Sequence, residues 1–160
     1  MLSLVRIDDR LIHGQVVEGW LPVLKVARVC VVSDSAASDP VQRALMELSL
    51  PDGVSLEVLT LAAAPSPLKA LALGPERVLV LAPGPMEVLA LHEAGVPFDA
   101  VNVGGLHFAA GTIQLGKALF LNEKDMRALE GLASRGVRVE GRAVPSEKSL
   151  DVVAAMKARA

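Results

Sequence analysis

Leu2-Ser3-Leu4-Val5-Arg6-Ile7 is followed by Asp8-Asp9-Arg10-Leu11-Ile12-His13-Gly14, and then by Gln15-Val16-Val17-Glu18-Gly19-Trp20-Leu21-Pro22-Val23-Leu24. The first run is short and mostly apolar, as a strand is. The last places Val16, Val17, Trp20, Leu21 and Leu24 on one face of a 3.6-residue period, so the chain opens as strand, loop, helix. One histidine, His13, stands where the loop enters the helix.

The same rhythm repeats downstream. Arg28 to Val32 reads as a strand, and Asp39-Pro40 opens a helix with a capping carboxylate and a proline in the first turn. Pro51-Asp52-Gly53 is a turn into a strand from Ser55 to Leu59. A short helix over Pro65 to Leu73, a strand over Arg77 to Leu81 and a helix from Pro85 to Glu93 with Gly95 as its stop come next. Ala100-Val101-Asn102-Val103 is a brief strand that ends at Gly104-Gly105. Leu106 to Leu121 has no helical period and reads as loop plus an extended segment around Ile113-Gln114-Leu115. Asn122 with Asp125 three residues on marks another helix start, running to Gly136 before a strand over Val137 to Gly141. Pro145-Ser146 is expected to start a C-terminal helix. Six or seven strands alternating with helices predict an α/β fold: an open, mostly parallel sheet with helices on both faces, compatible with an antiparallel edge strand.

Composition narrows the function classes. With 160 residues the chain is expected to form one domain spanning residues 1–160. Its residues are 52% apolar but only 2% aromatic, so Leu, Val and Ala must build the core. The apolar runs are broken by charges, Pro and Gly well before the roughly 18 residues of a spanning helix, and no secretory leader is expected at the start. The single cysteine, Cys30, lies in the run Val29-Cys30-Val31-Val32 and fits a reducing, cytoplasmic setting. A net charge of −2 with interspersed signs offers no basic tract for nucleic acid or an anionic membrane. Small molecules and protein partners remain.

In open α/β sheets ligands bind beyond the carboxyl ends of strands. That rule collects His13, Asp34 and the segment Asn102 to His107 on one rim, with Asp34 and His107 as rim candidates only. A helix start gathers free N–H groups and positive dipole, which stabilise an anion, and Arg10 adds guanidinium donors. His13 therefore suits an imidazole that carries a phosphoryl group, whereas a lone histidine there would more often be a cap. Trp20 falls with Val16, Val17 and Leu24 and reads as core. Gly104-Gly105 is either a close approach to a ligand or a plain turn. The three histidines lack metal-ligand spacing, and neither a P-loop nor a GxGxxG occurs.

The run from Arg6 to Val16 with Trp20 following, together with Val32-Ser33-Asp34, Asn102-Val103-Gly104-Gly105-Leu106-His107-Phe108 and Val144-Pro145-Ser146, resembles the IIB components of the mannose/fructose/sorbose class of the bacterial sugar phosphotransferase system. The resemblance covers essentially the whole chain. It implies a phosphocarrier in which His13 accepts a phosphoryl group from a phosphohistidine on IIA and gives it to a sugar imported through IIC and IID. Asp8 and Arg10 match residues that shape the site; on chemical grounds either Asp8 or Asp9 could orient Arg10 or fix the imidazole tautomer, and Asp8 is read as the orienter, not a base. Gly14 and Gln15 follow the histidine and offer N–H groups to phosphate. No cofactor, metal, nucleic acid or direct membrane insertion is implied, and a homo-oligomer is left open. Two rivals remain at this point: a phosphorylation-dependent regulatory module of the same fold, and an α/β enzyme acting on a sugar phosphate.

Overall fold

Burial increases along the first strand until its last four residues, Val5, Arg6, Ile7 and Asp8, are all enclosed. That pattern belongs to a central strand covered on both faces. In the computed structural model, which describes residues 1–159, this strand, β1 (Leu2–Asp8), leads into a helical segment whose first part, Gln15–Trp20, is π-helical and whose end is α1 (Leu21–Leu24). There follow β2 (Arg28–Val32), α2 (Asp34–Ala37), α3 (Pro40–Ser49), β3 (Ser55–Leu59), α4 (Pro65–Leu73), β4 (Val78–Ala82), α5 (Pro85–Glu93) and β5 (Ala100–Gly105). The chain continues with β6 (Ile113–Gly116), β7 (Leu119–Leu121), α6 (Glu123–Ser134), β8 (Arg138–Gly141), β9 (Leu150–Asp151) and α7 (Val152–Ala158).

Among the described residues the strands form a seven-stranded sheet in the order β3-β2-β4-β1-β5-β8-β9, plus the hairpin β6-β7. Every neighbour in the large sheet is parallel except β9, which runs antiparallel to β8 at the edge. Helices α4, α5, α6 and α7 bury Leu68, Val88, Leu91, Leu129, Leu132, Val152 and Met156 in a core on one face. On the other face Val16, Leu21 and Met46 pack against Val29, Val31, Leu79 and Leu81. A Val or Leu enclosed in this way contributes about 1.5–3 kcal/mol relative to exposure.

The strand order fixes where chemistry can occur. From β1 the chain passes to one face on its way to β2, while its neighbour β5 leads through the β6-β7 hairpin to α6 on the opposite face. The crevice between those diverging connections receives residues 9–14.

Several local expectations differ from the structure. The first helix is not α-helical throughout: Pro22 has no N–H to close an α turn on Glu18, and the Leu21 N–H reaches back five residues to the Val16 carbonyl. Gly104-Gly105 is not a turn but the end of β5, and the segment after it supplies two strands instead of one. The C-terminal helix does not start at Pro145-Ser146. Leu150 and Asp151 first pair with Gly141 and Glu140, and the Asp151 carboxylate then caps α7 by accepting the Ala154 N–H at 3.0 Å. The capping box at Asn122 and Asp125 is present in both directions.

Candidate active site

Arg6 points from β1 into a fully enclosed site, an unusual place for a guanidinium. Its two terminal nitrogens are matched to acceptors, most of them distant in sequence, while Nε has no partner among the described residues. Nη1 donates to Asn102 Oδ1 at 2.7 Å and to the Arg142 carbonyl at 3.1 Å, while Nη2 donates to Asp8 Oδ2 at 2.9 Å and to the Ala143 carbonyl at 3.0 Å. The Trp20 indole lies over the cation with its centroid 5.3 Å from Cζ, and its Nε1–H donates to the same Ala143 carbonyl at 2.9 Å. Burial pulls the guanidinium below its ordinary pKa and Asp8 pulls it back up. It remains a cation, because a guanidinium is not deprotonated in a folded protein.

Gly104 belongs to this arrangement. A Cβ at that position would stand 1.9 Å from Arg6 Cζ, so only a glycine leaves the guanidinium its place. Asn102, two residues earlier on β5, is also buried and passes a second bond, Nδ2 to the Arg142 carbonyl at 3.2 Å.

Asp8 closes β1 and is fully buried. Its Oδ2 accepts from both Arg6 and His13 Nε2, the latter at 2.8 Å, and its Oδ1 accepts the Arg10 backbone N–H at 3.1 Å. Desolvation alone would push this carboxyl up. The hydrogen bond and charge of His13, the Arg6 cation and the Arg10 N–H outweigh it and hold Asp8 below the usual carboxylate range.

A carboxylate accepts and does not donate, so the His13 nitrogen facing Asp8, Nε2, carries the ring proton. In the neutral ring Nδ1 then keeps the lone pair, and it has no hydrogen-bond partner among the described residues. The loop that delivers the ring is tight: Leu11 N–H donates to the Asp8 carbonyl at 3.0 Å, and Leu11 adopts φ 58°, a left-handed conformation rare for its type, with its side chain buried. The His13 carbonyl then accepts from Val16 and Val17 and starts the helical segment. The N–H groups of Ile12, His13, Gly14 and Gln15 donate to no acceptor among the described residues.

The other residues named from sequence fall at different distances from this centre. Arg10 is 42% exposed, with Nη2 donating to Gln15 Oε1 at 3.0 Å and Nε 3.8 Å from Asp8. Gly14 borders open space. Asp9 accepts from both the ring Nδ1 and the backbone N–H of His107, which ties the loop after β5 to the loop after β1. Asp34 lies at the end of β2, separated from β1 by β4, and its Oδ1 accepts the Leu61 N–H at 2.8 Å. It joins two loops at that end of the sheet and touches none of the His13 group. The sequence places Asn102 on the rim and Arg6 in the run that carries the resemblance but gives neither a chemical task, and Trp20 reads from it as core. A lone arginine within the apolar run Leu2 to Ile7 was the available signal, since a central strand has no water to receive it.

Beside His13 a groove of about 470 Å³ runs between the helical segment and the loop after β8, lined by Gly14, Gln15, Gly19, Val144, Pro145 and the exposed Val23.

The family model described as "PTS system sorbose subfamily IIB component" matches residues 2–160. The chain is 34% identical over 152 residues to the PTS system fructose-specific EIIB component of Bacillus subtilis, covering 95% of this chain and 93% of that protein. It is 38% identical over 153 residues to the PTS system mannose-specific EIIAB component of Escherichia coli, covering 96% of this chain but only 47% of the relative, so it spans about half the length of that protein. The crystal structure of the IIBSor domain of the sorbose permease from Klebsiella pneumoniae superposes with a TM-score of 0.90 at 32% identity, covering 100% of this chain and 98% of that one. The N-acetylgalactosamine-specific IIB component 1 from Escherichia coli gives 0.84 at 28% identity, covering 93% and 97%. The chain belongs to the IIB components of the sugar phosphotransferase system, in its sorbose subfamily.

Proposed function

We propose that this chain is a one-domain phosphocarrier, residues 1–160, whose His13 takes a phosphoryl group on Nδ1 from a phosphohistidine of a IIA component. It then delivers the group to a sugar entering through IIC and IID membrane subunits. The observation that carries the reading is the 2.8 Å contact between Asp8 and His13 Nε2, which engages that nitrogen and leaves Nδ1 unpartnered among the described residues, the nitrogen that holds the lone pair when the ring is neutral.

The chemistry follows from that contact. The Nδ1 lone pair attacks phosphorus in line with the departing imidazole of the donor; one P–N bond forms as the other breaks. The ring gains positive character, which the buried carboxylate stabilises through the Nε2 proton it already holds. Charge spreads over the three equatorial oxygens in such a loose transition state, so the protein's task is positioning and charge stabilisation. The free N–H groups from Ile12 to Gln15 and the exposed Arg10 guanidinium supply it. Asp8 does not repel the incoming anion as a bare carboxylate would, because Arg6 neutralises it from behind.

Two macromolecular partners must reach one nitrogen, and the groove beside His13 supports docking of that kind. Delivery to an importer places the work on the cytoplasmic side of the membrane; no helix among the described residues is long and apolar enough to cross it. The test is transfer from phosphorylated IIA. An acid-labile, base-stable phosphoryl label should appear on the chain, vanish in His13→Ala, and pass to sugar in membranes holding the cognate IIC and IID. Label that is accepted but never delivered identifies a regulatory module, and turnover of free sugar phosphate without partners identifies an enzyme of another kind.

A further inference from the structure

We propose that Arg6 is the positioning residue that makes Nδ1 the accepting nitrogen of His13, and that Gly104 serves the reaction by leaving Arg6 the room it needs. This rests on the phosphocarrier reading above and goes further into how the acceptor nitrogen is chosen.

An imidazole has two nitrogens and can turn about its Cβ–Cγ bond to present either one. What holds the ring is a single carboxylate oxygen, Asp8 Oδ2, so the choice is only as firm as that oxygen's position. Asp8 is fixed through its other bonds: Arg6 Nη2 at 2.9 Å on the same oxygen, and the Arg10 N–H on Oδ1. The Arg10 N–H belongs to the same loop that carries His13, so it fixes Asp8 only relative to that loop. Arg6 belongs to the sheet. Its guanidinium is anchored by the Asn102 side chain and the carbonyls of Arg142 and Ala143, and packs against the Trp20 indole and the space that Gly104 leaves without a Cβ. The chain of contacts therefore runs from the rigid strands β1 and β5 to Arg6, from Arg6 to Asp8, and from Asp8 to His13 Nε2.

Removing or displacing Arg6 has a definite chemical consequence. A buried carboxylate without its cation either takes up a proton or turns toward another donor, and in both cases it releases Nε2. The ring then samples both orientations, and Nε2, with no Cβ beside it, is the less hindered nucleophile. Phosphorylation loses its regiochemistry while His13 itself remains intact.

Phosphoramidate is the probe, because it phosphorylates histidine without a partner protein: its P–N bond breaks, ammonia leaves, and the ring nitrogen forms the new N–P bond. The full chain, Arg6→Lys and Gly104→Ala are each treated and the two phosphohistidine isomers are distinguished by phosphorus and nitrogen NMR. The unaltered chain gives the Nδ1 isomer alone. Arg6→Lys, which keeps the charge but not the two-pronged donor, and Gly104→Ala, which keeps the arginine but fills its place, both lose that exclusivity and yield the Nε2 isomer as well. A purely structural role lowers the melting temperature without changing the isomer, so Nδ1 exclusivity in the folded fraction of either variant overturns the proposal. An unaltered chain that takes phosphoramidate label on Nδ1 but none from IIA sinks the phosphocarrier reading separately.

Discussion

Asp8 and Arg6 form an ion pair at 2.9 Å in which neither side chain has any exposure to solvent. A buried pair of this kind gains little net stability, because desolvation consumes most of the Coulombic attraction, whereas losing one partner is costly. Its sense is the orientation it imposes on His13.

The pair sets a pH dependence. Asp8 titrates below its unfolded-state value of about 4, so its ionised form favours the fold above that pH, and the contribution is lost as pH falls through the lower, folded value. Asp8→Asn should cost about 3 kcal/mol at pH 7, the usual penalty for leaving one buried partner unpaired. Urea titrations should show the gap between the two proteins narrowing below about pH 4. A gap of the same size at pH 7 and pH 3 would mean that Asp8 does not work through its charge.

Arg10 is set for the opposite behaviour. It is 42% exposed and its one side-chain hydrogen bond goes to Gln15, so Arg10→Gln should leave stability within about 0.5 kcal/mol of the parent. The rate of phosphoryl transfer to His13 should drop on the order of 100-fold, as removal of one charge-stabilising donor does elsewhere. Stopped-flow quench with labelled IIA measures the rate and thermal melting the stability. Equal effects on both would demote Arg10 to a structural residue.

Cys30 has no exposed surface in the middle of β2, and burial, with a smaller push from Glu57, raises its thiol to about 12. Thiolate is the reactive form. A chromogenic disulfide reagent at pH 8 should therefore leave the folded chain unlabelled and react fully once denaturant is added. Rapid labelling of the folded chain would show that β2 opens locally.

Much of this architecture was readable from periodicity. The strand-helix alternation identifies the α/β class, and the position of His13 after the first strand places it at the carboxyl rim. Misreadings occurred where long-range partners decide local structure. Pro145-Ser146 has the local look of a helix start, yet the carbonyls just before it are claimed by Arg6 and Trp20, and the chain makes β9 before α7 begins. Gly104-Gly105 has the look of a turn, yet the glycines serve a side chain on the neighbouring strand. Arg6 itself was hidden for the same reason: its acceptors come from positions 8, 102, 142 and 143, and a guanidinium inside a sheet is intelligible only when all of them are seen together. The Asp9 grip on His107 was equally invisible, because it joins the ends of two strands ninety-eight residues apart in sequence.

The π-helical turn between Gln15 and Trp20 amounts to one surplus residue wound into a helix. Each residue of an ordinary helix advances the screw by about 100°. A chain one residue shorter in this stretch would relax to a regular coil and swing the indole about a quarter-turn off the guanidinium, uncoupling the lid over the arginine from the loop that bears the histidine. The length of that single turn, and not only its composition, is thus under constraint.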